Sequence, residues 1–484
     1  MAGGAVAVRA VSALTLAVVA PDGARNLRMA RLILQGEWTQ ALTLYPVTHP
    51  LYAVLIAPTA DREGASLAVA CAISAVLGGL AVLPLFFLVR ATWNDRVATV
   101  AAVLYTFLPS VVELHCDAML EGAFFFFFFF SMAAGWSALE RRSWERAVLA
   151  GASAACAWLT RPEGAYLIPL FGLACLLRWS RFVAVALPAA LLPALVLALP
   201  YATFVKAQTG RYAVSASPFS AGILGLFTGE TKATGYSVDA KTAEEFSEYR
   251  DISRFGKVGG PIVTVAKSIS KNLFHVLVQF VLIGFAFLRT QEFRAPPGLY
   301  LLAGAVGYFL PAALAFVAGT PFSHRYILVP CVLLLAPAAV GLLRAAAWLR
   351  HPRALVALLG VIALAMAVRD VRFKRDEKAG LKLAGRALLG ELGPHRRILA
   401  MSRQVEFYAR GVFVEFLPRA TFADVEKLVV EKRISAIALF ESDFRNVEPG
   451  MQDRLGQAYR RLGTYAGAGK RDPSPVVVYL TGVR

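Results

Sequence analysis

The sequence predicts an α-helical polytopic membrane protein with about eleven transmembrane helices and a small C-terminal α/β soluble domain. Three observations carry this. Apolar residues make up 57% of the chain and the mean hydropathy is +0.58, values foreign to a soluble domain. Long apolar runs recur from residue 4 to residue 369, and the composition turns to that of a soluble domain after Asp370. Residues 1–369 therefore read as a membrane domain and 370–484 as a second domain.

The apolar runs fall at about 4–20, 65–89, 97–112, 118–139, 147–160, 165–178, 182–204, 269–288, 297–318, 326–348 and 354–369. Several are shorter than the roughly 20 residues of a straight span and must borrow flanking residues or be re-entrant. The first run, with Arg9 near its start and small residues near Ala20, fits a signal peptide as well as a retained helix; we read it as retained. Phe124–Phe130 places phenylalanine on every side of a helix and reads as packing and lipid-facing material. Pro188, Pro193 and Pro200 predict kinks in the seventh run. The loops at Arg90–Arg96, Arg141–Arg146, Arg178–Arg181, Arg289–Arg294 and Arg350–Arg353 share one side if the spans alternate, which makes that side cytoplasmic. The opposite, extracytoplasmic side then gathers residues 21–64, 113–117, Arg161-Pro162-Glu163-Gly164, a polar loop of about 206–268, Thr320–Arg325 and the C-terminal domain. Within the long loop, Glu244, Glu245 and Glu248 lie in a stretch, 241–250, that reads as a solvated helix or a lid over a cleft.

After Asp370 the pattern predicts helix 376–392, strands 397–401 and 412–416, helix 421–431 capped by Thr421, strand 434–440, helix 451–462 and strand 476–480. This alternation argues an α/β fold. It contains no Gly-rich phosphate loop and no nucleophile elbow, so an accessory role is expected.

The net charge of +18 is accounted for by Arg-rich loops and attraction to anionic lipids; no interleaved basic and aromatic stretch points to nucleic acid. Five scattered cysteines without a CxxC pair read as apolar fillers rather than a disulfide framework.

Candidate chemistry collects on the extracytoplasmic side. Asp22 lies just beyond the first run, ahead of a stretch in which Leu27, Ala30 and Leu34 share one helical face and Arg28 and Arg31 another, the pattern of a helix lying in the membrane interface. Its carboxylate could act as a general base or could simply cap that helix. Glu113, Asp117 and Glu121 flank His115 and Cys116, and Asp117 and Glu121 are four apart at the start of the fourth run. Carboxylates this close to lipid must pair, face water or recruit a cation. Salt bridges to Arg25 or Arg161 would suffice, and as a metal site the pair is a weak candidate, with no HExxH or DxD pattern. Arg161, Arg325 and His49 stand at turns on the same side, where a guanidinium fork matches phosphate oxygens.

These features, in order, resemble a known family. An Asp soon after the first span followed by Ala30 to Gly36, then His49-Pro50-Leu51-Tyr52, then Asp117 with Leu120-Glu121 before aromatics, then Arg161-Pro162-Glu163-Gly164 and His324-Arg325-Tyr326, resemble the polytopic GT-C glycosyltransferases. The branch is that of the protein O-mannosyltransferases and the lipid A aminoarabinose transferases, and the likeness covers roughly residues 1–350. The mannosyltransferases carry Asp-Glu where this chain has Asp22-Gly23, and many relatives carry Lys-Pro-Pro or His-Pro-Pro where this chain has His49-Pro50-Leu51. The resemblance implies inverting transfer of a sugar from a polyprenyl-phosphate donor to a lipid, glycan or protein acceptor, with Asp22 as base. His49, Arg161 and Arg325 would then hold the donor phosphate. Tyr52, Asp117, Glu121, Glu163 and Tyr326 would orient substrates, with a divalent cation as the one conceivable cofactor. The competing expectations are a flippase for a lipid-linked sugar and a non-catalytic assembly protein on the same fold; the absence of ionisable residues near span centres and of an internal repeat weighs against the flippase.

Overall fold

The structure is a computed structural model that describes residues 1–44, 48–60, 63–210, 212, 256–287, 294–317, 323–351, 353–372, 376–416, 420–467 and 475–483. The expected lid with Glu244, Glu245 and Glu248, and positions 46–47, 289 and 320–322 of the segments singled out above, lie outside the described residues.

The chain begins with α1 (Ala2–Leu14), α2 (Pro21–Leu34), α3 (Trp38–Leu44), α4 (Leu51–Ile56), α5 (Glu63–Leu80), α6 (Val82–Thr92), α7 (Asp95–Phe107) and α8 (Pro109–His115). It continues through α9 (Glu121–Arg141), α10 (Trp144–Thr160), α11 (Leu167–Leu177), α12 (Val183–Thr209), α13 (Gly256–Asn272), α14 (Val276–Phe287), α15 (Pro296–Val317), α16 (Leu328–Leu333), α17 (Leu335–Trp348) and α18 (Ala354–Asp370). Among the described residues, three stretches are long and apolar enough to cross a bilayer alone: Ser66–Thr92, Glu121–Arg141 and Val183–Gln208. Three more do so as bent pairs, α7 with α8 at 56°, the end of α13 with α14 at 100°, and His324–Leu333 with α17 at 51°. The first bend follows from Pro109, which opens α8 because a proline lacks the N–H that would continue α7. The first apolar run forms helix only to Leu14, and Thr15–Ala20 leave it. The three prolines expected to kink the seventh run stand inside one 27-residue helix.

Helices approach closely where glycine faces backbone, as membrane packing favours. A side chain on Gly122 of α9 would collide with the carbonyl of Ser74 on α5. The largest core is built around Phe124, Phe125, Phe128 and Phe129, packed with Leu85, Tyr105 and Leu342. A second core gathers Leu27, Met29 and Ala30 of α2 with Tyr52, Trp158 and Tyr201, and takes in Tyr408 from the C-terminal domain.

That domain comprises α19 (Ala379–Leu392), β1 (Arg397–Ala400), α20 (Arg403–Ala409), β2 (Val412–Glu415), α21 (Phe422–Glu431), β3 (Ala436–Phe440), α22 (Met451–Ala458), β4 (Arg460–Tyr465) and β5 (Val476–Leu480). The strands order β2-β1-β3-β5-β4, parallel across β2, β1 and β3 and antiparallel at β5 and β4. All of β5 is buried because both faces are covered: Val476, Val478 and Leu480 pack toward α19 and α20, and Val477 and Tyr479 toward α21 and α22. Thr421 caps α21 in a reciprocal box with Asp424. Two elements depart from the sequence reading. Helix α22 stops at Ala458 and residues 460–465 pair with β5, and α20 replaces an expected loop.

Candidate active site

Pro21 opens α2 at its first helical position, where its fixed φ suits the helix and its missing N–H costs nothing. Ala20, extended at φ −62° and ψ 152°, is the N-cap, and no side chain caps the helix. Asp22 is therefore not a cap. Both of its oxygens face guanidinium groups instead: Arg325 Nη1 donates to Oδ2 at 2.7 Å, and Arg25 Nη2 lies 3.0 Å from Oδ1.

From Asp22 an alternating row of charges runs into the bundle. Arg325 Nη1 also lies 3.5 Å from Glu121 Oε1, and Arg161 Nη1 donates to that same oxygen at 3.2 Å. Arg161 then grips Glu163 with a two-point fork, Nη2 to Oε1 at 2.9 Å and Nε to Oε2 at 3.2 Å. Three arginines balance three carboxylates, which is how charge can persist at this depth. Arg161 lies over Phe124, 5.5 Å from the ring centroid, and over Tyr326 at 5.9 Å. Phe124 thus belongs to the site and is more than packing material.

The row is buried in its middle and reachable at its ends. Glu121 is 3% exposed and Arg161 10%, whereas Asp22, Arg25 and Arg325 are each 25–29% exposed and Glu163 is 24% exposed. A ligand can therefore reach Asp22 and Arg325 without entering the buried middle of the row. Burial pushes the Asp22 carboxyl up, but Arg325 and Arg25, with Arg161 beyond, outweigh it and hold the group below the usual carboxylate range.

The remaining candidates sit around this row. His49 is buried; its Nδ1 lies at hydrogen-bond distance from the carbonyl of Trp158, and its ring meets those of Tyr201 and Trp158 at centroid distances of 4.9 and 5.9 Å. Burial drives its pKa down to about 4, against the Trp158 carbonyl and the nearby Glu163 charge, which act the other way. Nothing in the sequence placed Trp158 or Tyr201 beside it. Tyr52 donates to the carbonyl of Ala70 and shares a hydrogen bond with Ser74 Oγ, both at 2.9 Å, and so ties α4 to α5. Asp117 is fully buried; its Oδ2 accepts from the Ala20 amide at 2.9 Å and its Oδ1 from the Ala118 amide at 2.6 Å. It holds the entry to α2 in place. Glu113 is exposed and stands apart, and His115 accepts from Arg9 inside the bundle. Arg28, expected on a solvated or headgroup-facing side of α2, pairs instead with Glu406 of the C-terminal domain at 3.1 Å. Arg25 escaped the sequence reading as a partner of Asp22, although its i+3 spacing was the signal.

Asp117 and Glu121, the candidate metal pair, are not arranged to bind a divalent cation. Among the described residues no three His, Cys, Asp or Glu side chains converge as a metal site. Asp117 is engaged by two backbone amides, and Glu121 faces two guanidiniums that would repel a cation.

Known proteins share the fold of this chain. A family model described as dolichyl-phosphate-mannose-protein mannosyltransferase matches residues 47–205. No curated protein sequence matches. Among solved structures, ArnT from Cupriavidus metallidurans bound to undecaprenyl phosphate is similar at TM-score 0.62 and 14% identity, covering 99% of this chain and 96% of that one. The Archaeoglobus fulgidus oligosaccharyltransferase with Zn and sulfate gives TM-score 0.56 and 14% identity over 87% of this chain and 64% of that one. AglB from the same organism, in complex with an inhibitory peptide and a dolichol-phosphate, gives 0.55 and 13% over 98% and 75%. The chain has the GT-C glycosyltransferase fold, in a membrane-integral helical bundle with a small C-terminal sheet.

Proposed function

We propose that this protein is an inverting glycosyltransferase that moves a sugar from a polyprenyl-phosphate donor to a lipid, glycan or protein acceptor on the extracytoplasmic face of the membrane. The observation that carries the reading is the charge row itself. Four separated chain segments bring Asp22, Arg325, Glu121 and Arg161 together, with Asp22 and Arg325 part exposed and Glu121 buried. The fold shared with proteins solved in complex with undecaprenyl phosphate and dolichol-phosphate supports the choice of donor. The placement on the extracytoplasmic face, opposite the Arg-rich loops, and the two-domain division at residue 370 belong to the same proposal.

In this reaction Asp22 accepts the proton of the acceptor hydroxyl as that oxygen forms a bond to the sugar C1. The bond from C1 to the phosphate oxygen breaks on the opposite side, and its electron pair leaves with the lipid phosphate. Arg325 and Arg161 neutralise the charge that develops there. Glu121 and Glu163 keep those guanidiniums oriented, and Tyr326 covers Arg161. His49, neutral at physiological pH, spends its one ring N–H on the Trp158 carbonyl, so its Nε2 can accept from a sugar or acceptor hydroxyl but does not donate to the phosphate. No step runs through a metal ion.

One feature of the site favours this order of events. Asp22 is a weak base while Arg325 and Arg25 hold it. A donor phosphate competes for Arg325, and drawing that guanidinium off Asp22 raises the basicity of the carboxylate when the substrate is present. A general base gains efficiency as its pKa nears the working pH.

The test is turnover by the purified protein in lipid nanodiscs with a panel of polyprenyl-phosphate sugars. Release of free polyprenyl phosphate, dependent on acceptor-containing membranes, is expected. Movement of an unconsumed donor across proteoliposomes would point to a flippase instead.

A further inference from the structure

The route into the site runs through Thr15–Ala20, which link α1 to α2 without being helical. Their backbone groups need partners from elsewhere. Asp117 supplies one, for Ala20. Three more come from the C-terminal domain, 365 or more residues later. Gln404 Nε2 donates to the carbonyl of Val19 at 2.6 Å, the amide of Val19 donates to Tyr408 Oη at 3.0 Å, and Lys382 Nζ donates to the carbonyl of Ala17 at 3.3 Å. One turn of α20 thus brackets both backbone groups of Val19, three residues before Asp22. The same helix reaches α2 itself, where Arg28 Nη1 donates to Glu406 Oε1 at 3.1 Å. Gln404, Glu406 and Tyr408 are 2%, 7% and 5% exposed. Burying three polar side chains from a seven-residue helix is costly without such partners, and all three are turned toward the segment that delivers Asp22.

We propose that α20 is a positioning element for the transfer reaction: Gln404 and Tyr408 fix the register of Val19 to Asp22, and Glu406 fixes α2 through Arg28, so that the Asp22 carboxylate stays opposite Arg325. None of the three touches substrate in this role. The inference rests on the transferase reading above and gives the C-terminal domain a part in it. A second observation agrees. Burial pushes the Glu406 carboxyl up to about 7, with Arg28, Arg403 and Arg31 pulling the other way. Raising the pH through that value charges Glu406 and tightens its hold on Arg28, and lowering it loosens α2.

The test uses the full chain in nanodiscs, with two variants and two readouts. Gln404→Met with Tyr408→Phe removes both contacts to Val19 at nearly constant volume, and Glu406→Gln removes the charge. Hydrogen–deuterium exchange over residues 15–34 should rise by about tenfold or more in the double variant while α9 and α10 keep their protection. Release of polyprenyl phosphate should lose about tenfold in kcat with the donor KM held within about twofold, since only the placement of the base changes. Wild-type kcat should rise through about pH 7, and Glu406→Gln should flatten that rise. Unchanged exchange over residues 15–34 would overturn the proposal, as would a loss confined to KM or a pH dependence retained in Glu406→Gln. If exchange rises as expected but wild type releases no polyprenyl phosphate from any donor, the docking of α20 is upheld and the transferase reading alone fails. Loss of protection in α9 and α10 as well would make the effect global and refute a local positioning role.

Discussion

Replacing Arg325 by Met tests the charge row at its Asp22 end. Arg325 Nη1 holds Asp22 Oδ2 at 2.7 Å and stands 3.5 Å from Glu121 Oε1, and it is the largest of the charges that lower the Asp22 pKa. Its loss leaves Asp22 with Arg25 and Glu121 with Arg161. An arginine beside an aspartate favours its charged form, so the Asp22 pKa should climb when Arg325 is removed. Catalysis by an ionised Asp22 is lost as the pH falls through its pKa, so the acid limb of kcat/KM should move to higher pH. Donor binding should suffer separately. A hydrogen bond to a charged group contributes roughly 1.5–3 kcal/mol, so losing the phosphate contact should raise the donor KM by about 10- to 150-fold. Arg325→Lys keeps the charge but not the fork and should fall between. The assay is the pH profile of polyprenyl-phosphate release, with thermal unfolding as a control on the Glu121 side. A donor KM within about twofold of wild type, together with an unmoved acid limb, would refute a phosphate-binding role for Arg325.

Other consequences follow from the same geometry. Arg161→Met leaves the buried Glu121 with Arg325 alone and removes the fork on Glu163, so it should cost about 3 kcal/mol of stability; a thermal midpoint within a degree of wild type would contradict the row as drawn. The native His49 pKa of about 4, below its ordinary 6.5, means that the fold favours the neutral ring. Stability from His49 is therefore complete above about 6.5 and declines as the pH falls toward about 4, by up to roughly 3 kcal/mol at about 1.4 per unit; His49→Gln should flatten that part of the pH–stability profile, and an unchanged profile would count against the burial described. Asp117→Ala removes the acceptor for the Ala20 and Ala118 amides and should cost roughly 2–4 kcal/mol while raising exchange at residues 19–24; Asp117→Asn, which keeps one acceptor oxygen, should recover part of it.

Much of the fold and some of the site are legible in the sequence, for physical reasons. Lipid demands long apolar runs and forbids unpaired charge, so both the helices and the out-of-place ions stand out. Asp22, Glu121, Arg161 and Arg325 were visible as charges at the wrong depth. What the sequence does not carry is which carboxylate meets which guanidinium, because those contacts join positions 40 to 303 residues apart. Locally, Pro21-Asp22-Gly23 looks like a helix cap. The tertiary structure overrides that reading, because the carboxylate gains more from Arg325 and Arg25 than a cap would give it. Asp117 reads as an ion in a hydrated turn, yet backbone amides enclose it. Residues 460–462 look helical because Arg460 and Arg461 continue the polar pattern of α22; they belong instead to the edge strand Arg460–Tyr465, which is half exposed and shows no alternation. Helix α20 is too short to show a period, and its polar residues face protein rather than water, so no pattern announces it.

The most direct measurement is the rate of acceptor-dependent polyprenyl-phosphate release by Asp22→Asn beside wild type, at matched folding and donor occupancy. Asparagine keeps the shape of Asp22 but cannot take a proton, so a general base at this position requires kcat to fall by about 10²–10⁴-fold with donor binding retained. Release by Asp22→Asn at a rate within a fewfold of wild type would show that proton removal occurs elsewhere, and would leave Asp22 as an anchor for Arg325 and Arg25.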